Sequence, residues 1–305
     1  MELLYALEGI RLPVLNEIML GITTLGEETA FLMLALIFFW CVDKRKGYYL
    51  MAIGFAGTII NQFLKLVFRV PRPWVKDPDF TILEQAKEAA AGYSFPSGHT
   101  QMAVGTFGGI AVAAKQRWIR AVCVAIMILV PFSRMYIGVH TPQDVLVSAV
   151  IALALVWLLK PVLAGGNKAM KPVIIAMILL ALGLLAYVEL YPFPADVDAH
   201  NLLSGQKNAY TMIGCLTGVA VVYVAEKKFV NFSEKAVWWA QILKAVLGLG
   251  LVLLVKEGLR SPLEALFAQL TARAIRYFLI VAVAGLVWPM TFRWFGKLGR
   301  KDKVL

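Results

Sequence analysis

Long apolar runs, separated by short polar connections, repeat along most of the chain. A helix needs about 20 apolar residues to cross a bilayer, so this pattern predicts membrane-spanning helices. Nine candidate spans lie at about residues 27–42, 48–68, 98–114, 119–137, 142–160, 172–190, 209–225, 236–255 and 274–292. The predicted fold is therefore all-α: a polytopic membrane helical bundle of about nine transmembrane helices.

The beginning of the chain departs from this pattern. Residues 3–24 mix apolar and charged positions, and Pro13 interrupts them. We interpret the stretch as an amphipathic helical segment that lies at the membrane interface. The chain then divides into the N-terminal amphipathic segment at 1–26, a core with the polar motifs at 27–163 and a C-terminal four-span extension at 164–305.

Composition supports a membrane protein. Hydrophobic residues make up 60% of the chain and charged residues 16%, and the mean hydropathy is +0.74. A soluble chain of 305 residues could not bury so much apolar surface in its core. The net charge of +11 should mostly reflect cytoplasmic loops, and we predict no nucleic-acid partner. Three isolated cysteines (Cys41, Cys123 and Cys215) predict neither a disulfide framework nor a metal site.

Basic residues indicate how the chain is oriented in the membrane. Seventeen of the 30 lie in alternate connections, at residues 44–46, 115–120, 160–171, 227–235 and 293–303. By the positive-inside rule these connections face the cytoplasm. The predicted C-terminus is then cytoplasmic, and the opposite ends of the spans are extracytoplasmic.

The unusual polar residues are gathered in three pieces of the chain. These are Lys65-(six residues)-Arg72-Pro73, Pro96-Ser97-Gly98-His99 and Ser133-Arg134-(five residues)-His140-(three residues)-Asp144. Two of the three histidines lie here, and all three pieces fall on the predicted extracytoplasmic side.

The residue types in these pieces are suited to binding an anion. Three permanent positive charges are available: Lys65, Arg72 and Arg134. Guanidinium groups can donate two parallel hydrogen bonds to phosphate oxygens. Cations at a membrane face are energetically costly unless an anion compensates their charge. Ser97 and Gly98 precede a predicted span, so the N–H groups and the positive dipole end of that helix can bind the same anion. His99, in the first turn, should face this site.

Two roles are open for Asp144. The segment 141–144 (Thr-Pro-Gln-Asp) reads as a helix start, in which this carboxylate would be the capping group. Asp144 also lies four residues after His140, close enough to accept a ring N–H and to hold the other nitrogen ready to attack. The two roles compete for one carboxylate, and we favour the histidine partner.

Together the three pieces resemble the signature of the type 2 phosphatidic acid phosphatase superfamily. That superfamily includes lipid phosphate phosphatases, glucose-6-phosphatase and vanadium haloperoxidases. The resemblance covers roughly residues 48–160 and holds at every signature position. It implies that His140 is the nucleophile and forms a phosphohistidine, that Asp144 orients it, and that His99 is general acid and then base. It also implies a set of groups that bind the phosphoryl oxygens: Lys65, Arg72, Ser97, Gly98 and Arg134.

The resemblance further implies an integral-membrane phosphatase that needs no metal or other cofactor. Its substrate would be a lipid phosphate or a (poly)isoprenyl pyrophosphate, met at the extracytoplasmic face of the plasma (inner) membrane. One alternative is a phosphatase of a soluble or sphingoid phosphomonoester, like glucose-6-phosphatase or the sphingosine-phosphate phosphatases. Another is a non-catalytic phospholipid-binding protein, which the presence of both histidines disfavours. The predicted partners are the bilayer and this substrate, with the oligomeric state left open.

Other polar residues receive simpler interpretations. We expect Asn61 and Gln62 to form interhelical hydrogen bonds, and Lys244 to extend toward the cytoplasm from its apolar run. Ser133 is expected to scaffold Arg134. The connection at 70–97 is either a lid or substrate rim beside the site, or a plain loop.

Overall fold

The computed structural model describes residues 1–87, 90–165 and 167–298. All the regular secondary structure in this part of the chain is helical, without β-strands, which confirms the predicted fold class. Three helices form the N-terminal region: α1 (Glu2–Glu8), α2 (Pro13–Thr23) and α3 (Glu28–Ile37). The core contains α4 (Lys44–Phe68), α5 (Pro73–Lys76), α6 (Gly98–Ala113), α7 (Arg117–Tyr136) and α8 (Pro142–Leu158). The extension contains α9 (Pro161–Gly165), α10 (Asn167–Leu190), α11 (Ala199–Ala225), α12 (Trp238–Gly258), α13 (Arg260–Leu266), α14 (Gln269–Ala282), α15 (Trp288–Met290) and α16 (Phe292–Phe295).

Seven helical stretches of the described chain are long and apolar enough to cross a membrane. They are Lys44–Lys76, Arg117–Tyr136, Pro142–Gly165, Lys168–Leu190, Ala199–Val230, Trp238–Leu266 and Gln269–Met290. The stretches Pro13–Gly26 and Glu28–Val42 meet at a 53° bend and make an eighth if they are counted as one broken span. The protein is therefore an integral membrane protein, but the predicted count of nine spans is not confirmed.

Two predicted spans are not among the seven stretches: the one at 27–42, which is half of the bent pair, and the one at 98–114. The second corresponds to α6, whose 16 residues extend only about 24 Å, less than the ~30 Å hydrocarbon thickness. Most of α6 is buried between α4, α7 and α8. A helix enclosed by longer neighbours does not have to match the bilayer, and a cavity lies at its N-terminal end.

Helix α4, which begins the core, has clear end signals. The Asp43 carboxylate accepts a hydrogen bond of 2.8 Å from the backbone N–H of Arg45 and so caps its first turn. The helix ends at Arg69, whose φ of 48° is in the left-handed region. Pro71 and Pro73 follow, and neither can continue a helix.

The N-terminal segment consists of two short helices rather than one, and α2 starts at Pro13. Arg11, between them, donates to two separate parts of the core. Its Nε lies 3.0 Å from the Tyr136 carbonyl, and its Nη1 lies 2.9 Å from the Thr81 carbonyl. The segment therefore fastens the connection after α5 to the end of α7. Its position at the membrane interface stays a prediction.

The basic connections lie together at one end of the bundle. Lys44 forms an ion pair of 2.6 Å with Glu226, and a cavity of about 200 Å³ there is lined by residues including Arg45, Met170 and Lys227. Lys244 is buried and donates to the Glu234 carbonyl at 3.0 Å, so it binds a backbone oxygen instead of extending into solvent. This end is opposite the end of α4 that carries Lys65.

Helices α11 and α14 form the tightest pair of the extension. Gly214 on α11 makes this possible, because an added Cβ would collide with the Ala274 carbonyl on α14. Helix α12 packs less closely, and many of its large apolar side chains are exposed on the outside of the bundle.

Candidate active site

The three polar pieces meet at one cavity of about 250 Å³. Six of the eight predicted site residues line it: Lys65, Arg72, Gly98, His99, Arg134 and His140. The other two, Ser97 and Asp144, lie behind its wall and are 0% and 2% exposed. The structure thus brings together residues that are up to 79 positions apart in the chain.

His140 is held between a cation and a carboxylate. Its Nε2 lies 2.9 Å from Arg72 Nη1, and its Nδ1 lies 3.4 Å from Asp144 Oδ2. A guanidinium group can only donate, so Nε2 must accept and the ring proton belongs on Nδ1, facing Asp144. Burial lowers the pKa of His140 well below its ordinary value, and the nearby cations Arg72, Arg134 and Lys65 lower it further. The imidazole is therefore neutral, with its lone pair on Nε2.

Asp144 makes the contacts of both roles that the sequence left open. Its Oδ2 accepts from the backbone N–H of Thr141 at 2.8 Å, and Thr141 Oγ1 accepts from the Asp144 N–H at 3.4 Å, which completes a capping box at the start of α8. The same Oδ2 faces His140 Nδ1. The two roles are therefore not alternatives, because one oxygen atom serves the helix start and the histidine.

Ser94 is part of this arrangement and was missed in the sequence. It is fully buried, and its Oγ donates to Asp144 Oδ2 at 2.6 Å and lies 3.5 Å from His140 Nδ1. A small polar residue in the turn 92–96, directly before the second motif, was the available signal. The turn is itself anchored, because the Ser94 N–H donates to the Val70 carbonyl at 2.8 Å.

Ser97 is not among the residues that line the cavity, and its role as a phosphate ligand stays a prediction. Its Oγ accepts from the Thr100 N–H at 3.3 Å, which makes it the N-cap of α6. Its own N–H donates to the Asp144 carbonyl at 3.1 Å and so connects the second and third motifs. Gly98 and His99 follow at the cavity wall, and His99 Nε2 is buried with no hydrogen-bond partner among the described residues.

Backbone carbonyls hold two of the three cations. Arg72 Nε and Nη2 donate to the carbonyls of Gly92 at 3.1 Å and Ala91 at 3.0 Å, and Lys65 Nζ donates to the carbonyl of Tyr93. These three acceptors are consecutive residues. Gly92 has a φ of 76°, a conformation that glycine adopts without strain. One short turn thus contacts both cations, and Arg72 Nη1 also donates to the Val139 carbonyl at 3.0 Å.

Arg134 is held differently. Its Nη1 donates to Thr23 Oγ1 at 2.8 Å, while Nε and Nη2 are buried without a partner in the described part of the chain. None of the described Asp or Glu carboxylates forms an ion pair with Lys65, Arg72 or Arg134. A cavity with three cations and no paired carboxylate calls for an anion.

Neutral polar residues and one carboxylate, Glu28 on α3, complete the wall. Asn61 Nδ2 donates to the Pro96 carbonyl at 3.3 Å, so it bonds to a connection and not to another helix. Its Oδ1 and both amide atoms of Gln101 are buried without partners among the described residues. Ser204 and Asn208 reach the cavity from α11. The extension therefore contributes to the site, which its sequence gave no reason to predict.

A search of the described residues finds no cluster of three or more histidine, cysteine or acidic side chains that could hold a metal ion. Metal independence stays a prediction. His200 is exposed at the start of α11 and belongs to no such group.

Comparisons with known proteins match both the region that carries the three motifs and the extension. Residues 45–165 match the PAP2 superfamily, and residues 210–301 match the transmembrane extension of PAP2 superfamily phosphatases. Undecaprenyl-diphosphatase BcrC of Bacillus subtilis is 35% identical over 156 residues, which are 50% of this chain and 78% of that protein. Phosphatidylglycerophosphatase B of the same organism is 30% identical over 166 residues, 50% of this chain and 76% of that protein. An undecaprenyl-diphosphatase of Sulfolobus acidocaldarius is 26% identical over 148 residues, 48% of this chain and 69% of that protein. No solved structure matches the chain significantly.

Proposed function

The chain belongs to the PAP2 superfamily and is a membrane phosphatase, and from this premise we propose that it hydrolyses a lipid phosphate or a (poly)isoprenyl pyrophosphate through a phosphohistidine. Two of the matching relatives are named undecaprenyl-diphosphatases and a third is a phosphatidylglycerophosphatase. Their names support a lipid-linked phosphate as the substrate class.

One observation supports the mechanism most: His140 has a fixed tautomer, with the lone pair on Nε2 and the proton on Nδ1 facing Asp144. In the first step Nε2 attacks phosphorus, and the bond from phosphorus to the leaving oxygen breaks. His99 protonates that oxygen; because burial and the cations Arg134, Arg72 and Lys65 lower the pKa of its imidazole, it takes up this proton together with the anionic substrate. Once Nε2 is bonded to phosphorus it no longer accepts, so the Nη1 N–H of Arg72 that faced it donates to a phosphoryl oxygen, and Nε and Nη2 keep their carbonyl acceptors.

In the second step water replaces the leaving group. His99, now neutral, takes a proton from water, whose oxygen attacks phosphorus, and the nitrogen–phosphorus bond breaks. Lys65, Arg134 and the amide of Gly98 line the same cavity and stabilise the charge on the phosphoryl oxygens in both steps. Asp144 offsets the positive charge that the imidazole carries while it is phosphorylated.

We assign the site to the extracytoplasmic face of the plasma membrane and the C-terminus to the cytoplasm. The basic connections gather at the end opposite the cavity, which is the distribution that the positive-inside rule requires. The basic residues beyond 298 that contribute to this argument lie outside the described residues. A lipid phosphate on the outer leaflet would enter the cavity at headgroup depth.

The catalytic proposal is tested with purified protein in detergent, with a chelator present. Phosphate release is measured from undecaprenyl pyrophosphate, phosphatidylglycerol phosphate, a sphingoid phosphate and glucose 6-phosphate. We expect release from a lipid substrate, and His140→Ala should abolish both turnover and the acid-labile phosphoenzyme trapped by rapid quenching. His200→Ala, which removes an exposed histidine, is the matched control and should keep full activity. A phosphoenzyme that persists in His140→Ala would refute the assignment, and turnover of glucose 6-phosphate alone would favour the soluble substrate.

Sidedness is tested separately by labelling single cysteines in a background without Cys41, Cys123 and Cys215. Gln85→Cys lies in the connection before α6, and Lys168→Cys lies at the opposite end of the bundle. A membrane-impermeant thiol reagent on intact cells should label the first and spare the second. The reverse pattern would overturn the topology.

A further inference from the structure

An apolar groove continues from the active-site cavity along the membrane-spanning helices. Two cavities of about 130 and 80 Å³ lie between α3, α4, α11, α12 and α14. They form one groove, because they share six lining residues: Leu32, Leu36, Phe55, Val252, Ile280 and Val281. Glu28 lines both the larger of the two and the active-site cavity, so the groove and the site adjoin.

The helix faces that line the active-site cavity change from polar to apolar as they enter the groove. The polar members, at the cavity, are Glu28 on α3, Thr58 on α4 and Asn208 on α11. Their apolar successors, three to seven residues further into the bundle, are Leu32, Phe55 and Cys215. Positions at these spacings lie on one face of a helix, so the change occurs along three continuous walls. The combined space is therefore itself amphiphilic, with a cationic head and an apolar stem.

The groove has a defined depth. Between Glu28 and Phe39 the chain advances eleven residues, which corresponds to about 16 Å of helix. This is close to half of the ~30 Å hydrocarbon thickness, or one leaflet. The rings of Phe39 and Tyr48 line the far end, where they pack edge to face with centroids 5.1 Å apart.

The groove is open to the bilayer on one side. Helix α12 approaches the bundle at Gly248, where an added Cβ would collide with Trp288. One and two turns later, Val252 and Lys256 line the groove instead of closing against α3. Met33 and Leu253 line it as well and are 37% and 46% exposed. A chain can therefore enter sideways from the membrane.

We infer that this groove binds one hydrocarbon chain of the lipid whose phosphate occupies the active-site cavity, which rests on the proposed function. The continuity of the groove with the cationic cavity selects this occupant over an unrelated bilayer lipid. Since bilayer lipid is as apolar as the groove, a bound chain gains packing contacts rather than hydrophobic transfer energy, and it strengthens binding only modestly. The groove acts by positioning the lipid, so it should change kcat/KM for long-chain substrates by about tenfold rather than decide whether they are hydrolysed.

The test compares two variants of α12 that carry the same substitution. Val252→Trp fills the middle of the groove, whereas Val246→Trp places the same side chain on the outer face, where Val246 is 62% exposed. Phosphate release is measured from single-chain alkyl phosphates of four and sixteen carbons. We expect Val252→Trp to lower the ratio of kcat/KM for the long chain to that for the short chain about tenfold, and Val246→Trp to keep the wild-type ratio. Leu36→Trp, which fills the groove from the opposite wall, should reproduce the effect if Val252→Trp fails to fold.

A second readout does not depend on turnover. Hexadecylphosphonate, a non-hydrolysable ligand, should raise the unfolding temperature of the wild type more than butylphosphonate does, and Val252→Trp should remove this difference. A wild-type ratio in both groove-filling variants, or an equal fall for both chain lengths, would overturn the groove assignment. Wild-type protein that releases no phosphate yet still distinguishes the two phosphonates would overturn the proposed hydrolysis and keep the groove.

Discussion

Replacing Asp144 by asparagine separates the two tasks of its carboxylate. Asparagine keeps an oxygen that can accept from the Thr141 N–H and from Ser94 Oγ, so the start of α8 should survive with a loss of about 1 kcal/mol or less. What disappears is the negative charge 3.4 Å from His140 Nδ1. At an effective dielectric constant of about 20, a full charge pair at that separation interacts by about 5 kcal/mol. The neutral resting imidazole gains none of this interaction energy, whereas the positively charged phosphorylated imidazole gains much of it. Loss of the carboxylate charge therefore raises the barrier, and kcat should fall by about 10²- to 10⁴-fold.

The assay combines phosphate release with thermal unfolding in the same detergent. Asp198→Asn is a matched control, because Asp198 caps α11 through an N–H···Oδ1 bond of 2.7 Å and has no histidine partner in the described chain. It should change neither quantity. If Asp144→Asn keeps more than a third of the activity, Asp144 is only a helix cap. If it unfolds at a much lower temperature, the loss of activity says nothing about charge, and the reasoning from one shared oxygen fails.

Three further predictions concern the groups around this pair. Arg72→Lys should lower kcat/KM at least about 100-fold, because one ammonium cannot replace a guanidinium that contacts three carbonyls and His140 at once. Steady-state kinetics measure this loss, and a tenfold loss or less would show that charge alone suffices. Vanadate should inhibit phosphate release with chelator present, since it adopts the trigonal-bipyramidal geometry of the phosphoryl group in the transition state. If chelator alone abolishes hydrolysis, the metal-free mechanism is contradicted. Arg11→Ala should lower the free energy of unfolding by about 1–3 kcal/mol, because it removes hydrogen bonds to two carbonyls. Arg45→Ala removes only an exposed ion pair with Asp43 and should change that free energy by no more than about 0.5 kcal/mol. Equal effects in thermal unfolding would argue against the fastening role of the N-terminal segment.

Much of the fold could be predicted because the bilayer constrains sequence strongly. Apolar length alone locates the spans, and local signals such as the Thr141-Pro142 start of α8 place helix ends accurately. The count of nine is not confirmed, because the predicted span at 27–42 is half of a bent pair and α6 is short. At α6 hydrophobicity reports burial in protein and burial in lipid equally. Sequence contains no sign that distinguishes a helix surrounded by other helices from one of the same composition that meets lipid.

The candidate site was partly predictable for a similar reason. The motif residues are chemically unusual in an apolar chain, and the structure gathers six of them around one cavity. Ser97 differed because a serine before a helix is equally suited to capping and to binding an anion, and here it caps. Ser94, Ser204 and Asn208 were missed because ordinary polar residues become significant only through what the folded chain places beside them.

The carbonyl turn at Ala91, Gly92 and Tyr93 has a consequence for how the enzyme responds to its surroundings. A carboxylate partner would be protonated in acid and could be exchanged by mutation, but a peptide carbonyl does neither. The orientation of Lys65 and Arg72 is therefore insulated from acidity and from substitution of the residues that hold them, as long as the turn keeps its shape. The sensitive feature is instead the backbone conformation of the turn. A substitution at Gly92 that changes this conformation would misplace two charges at once, although it removes no charged group.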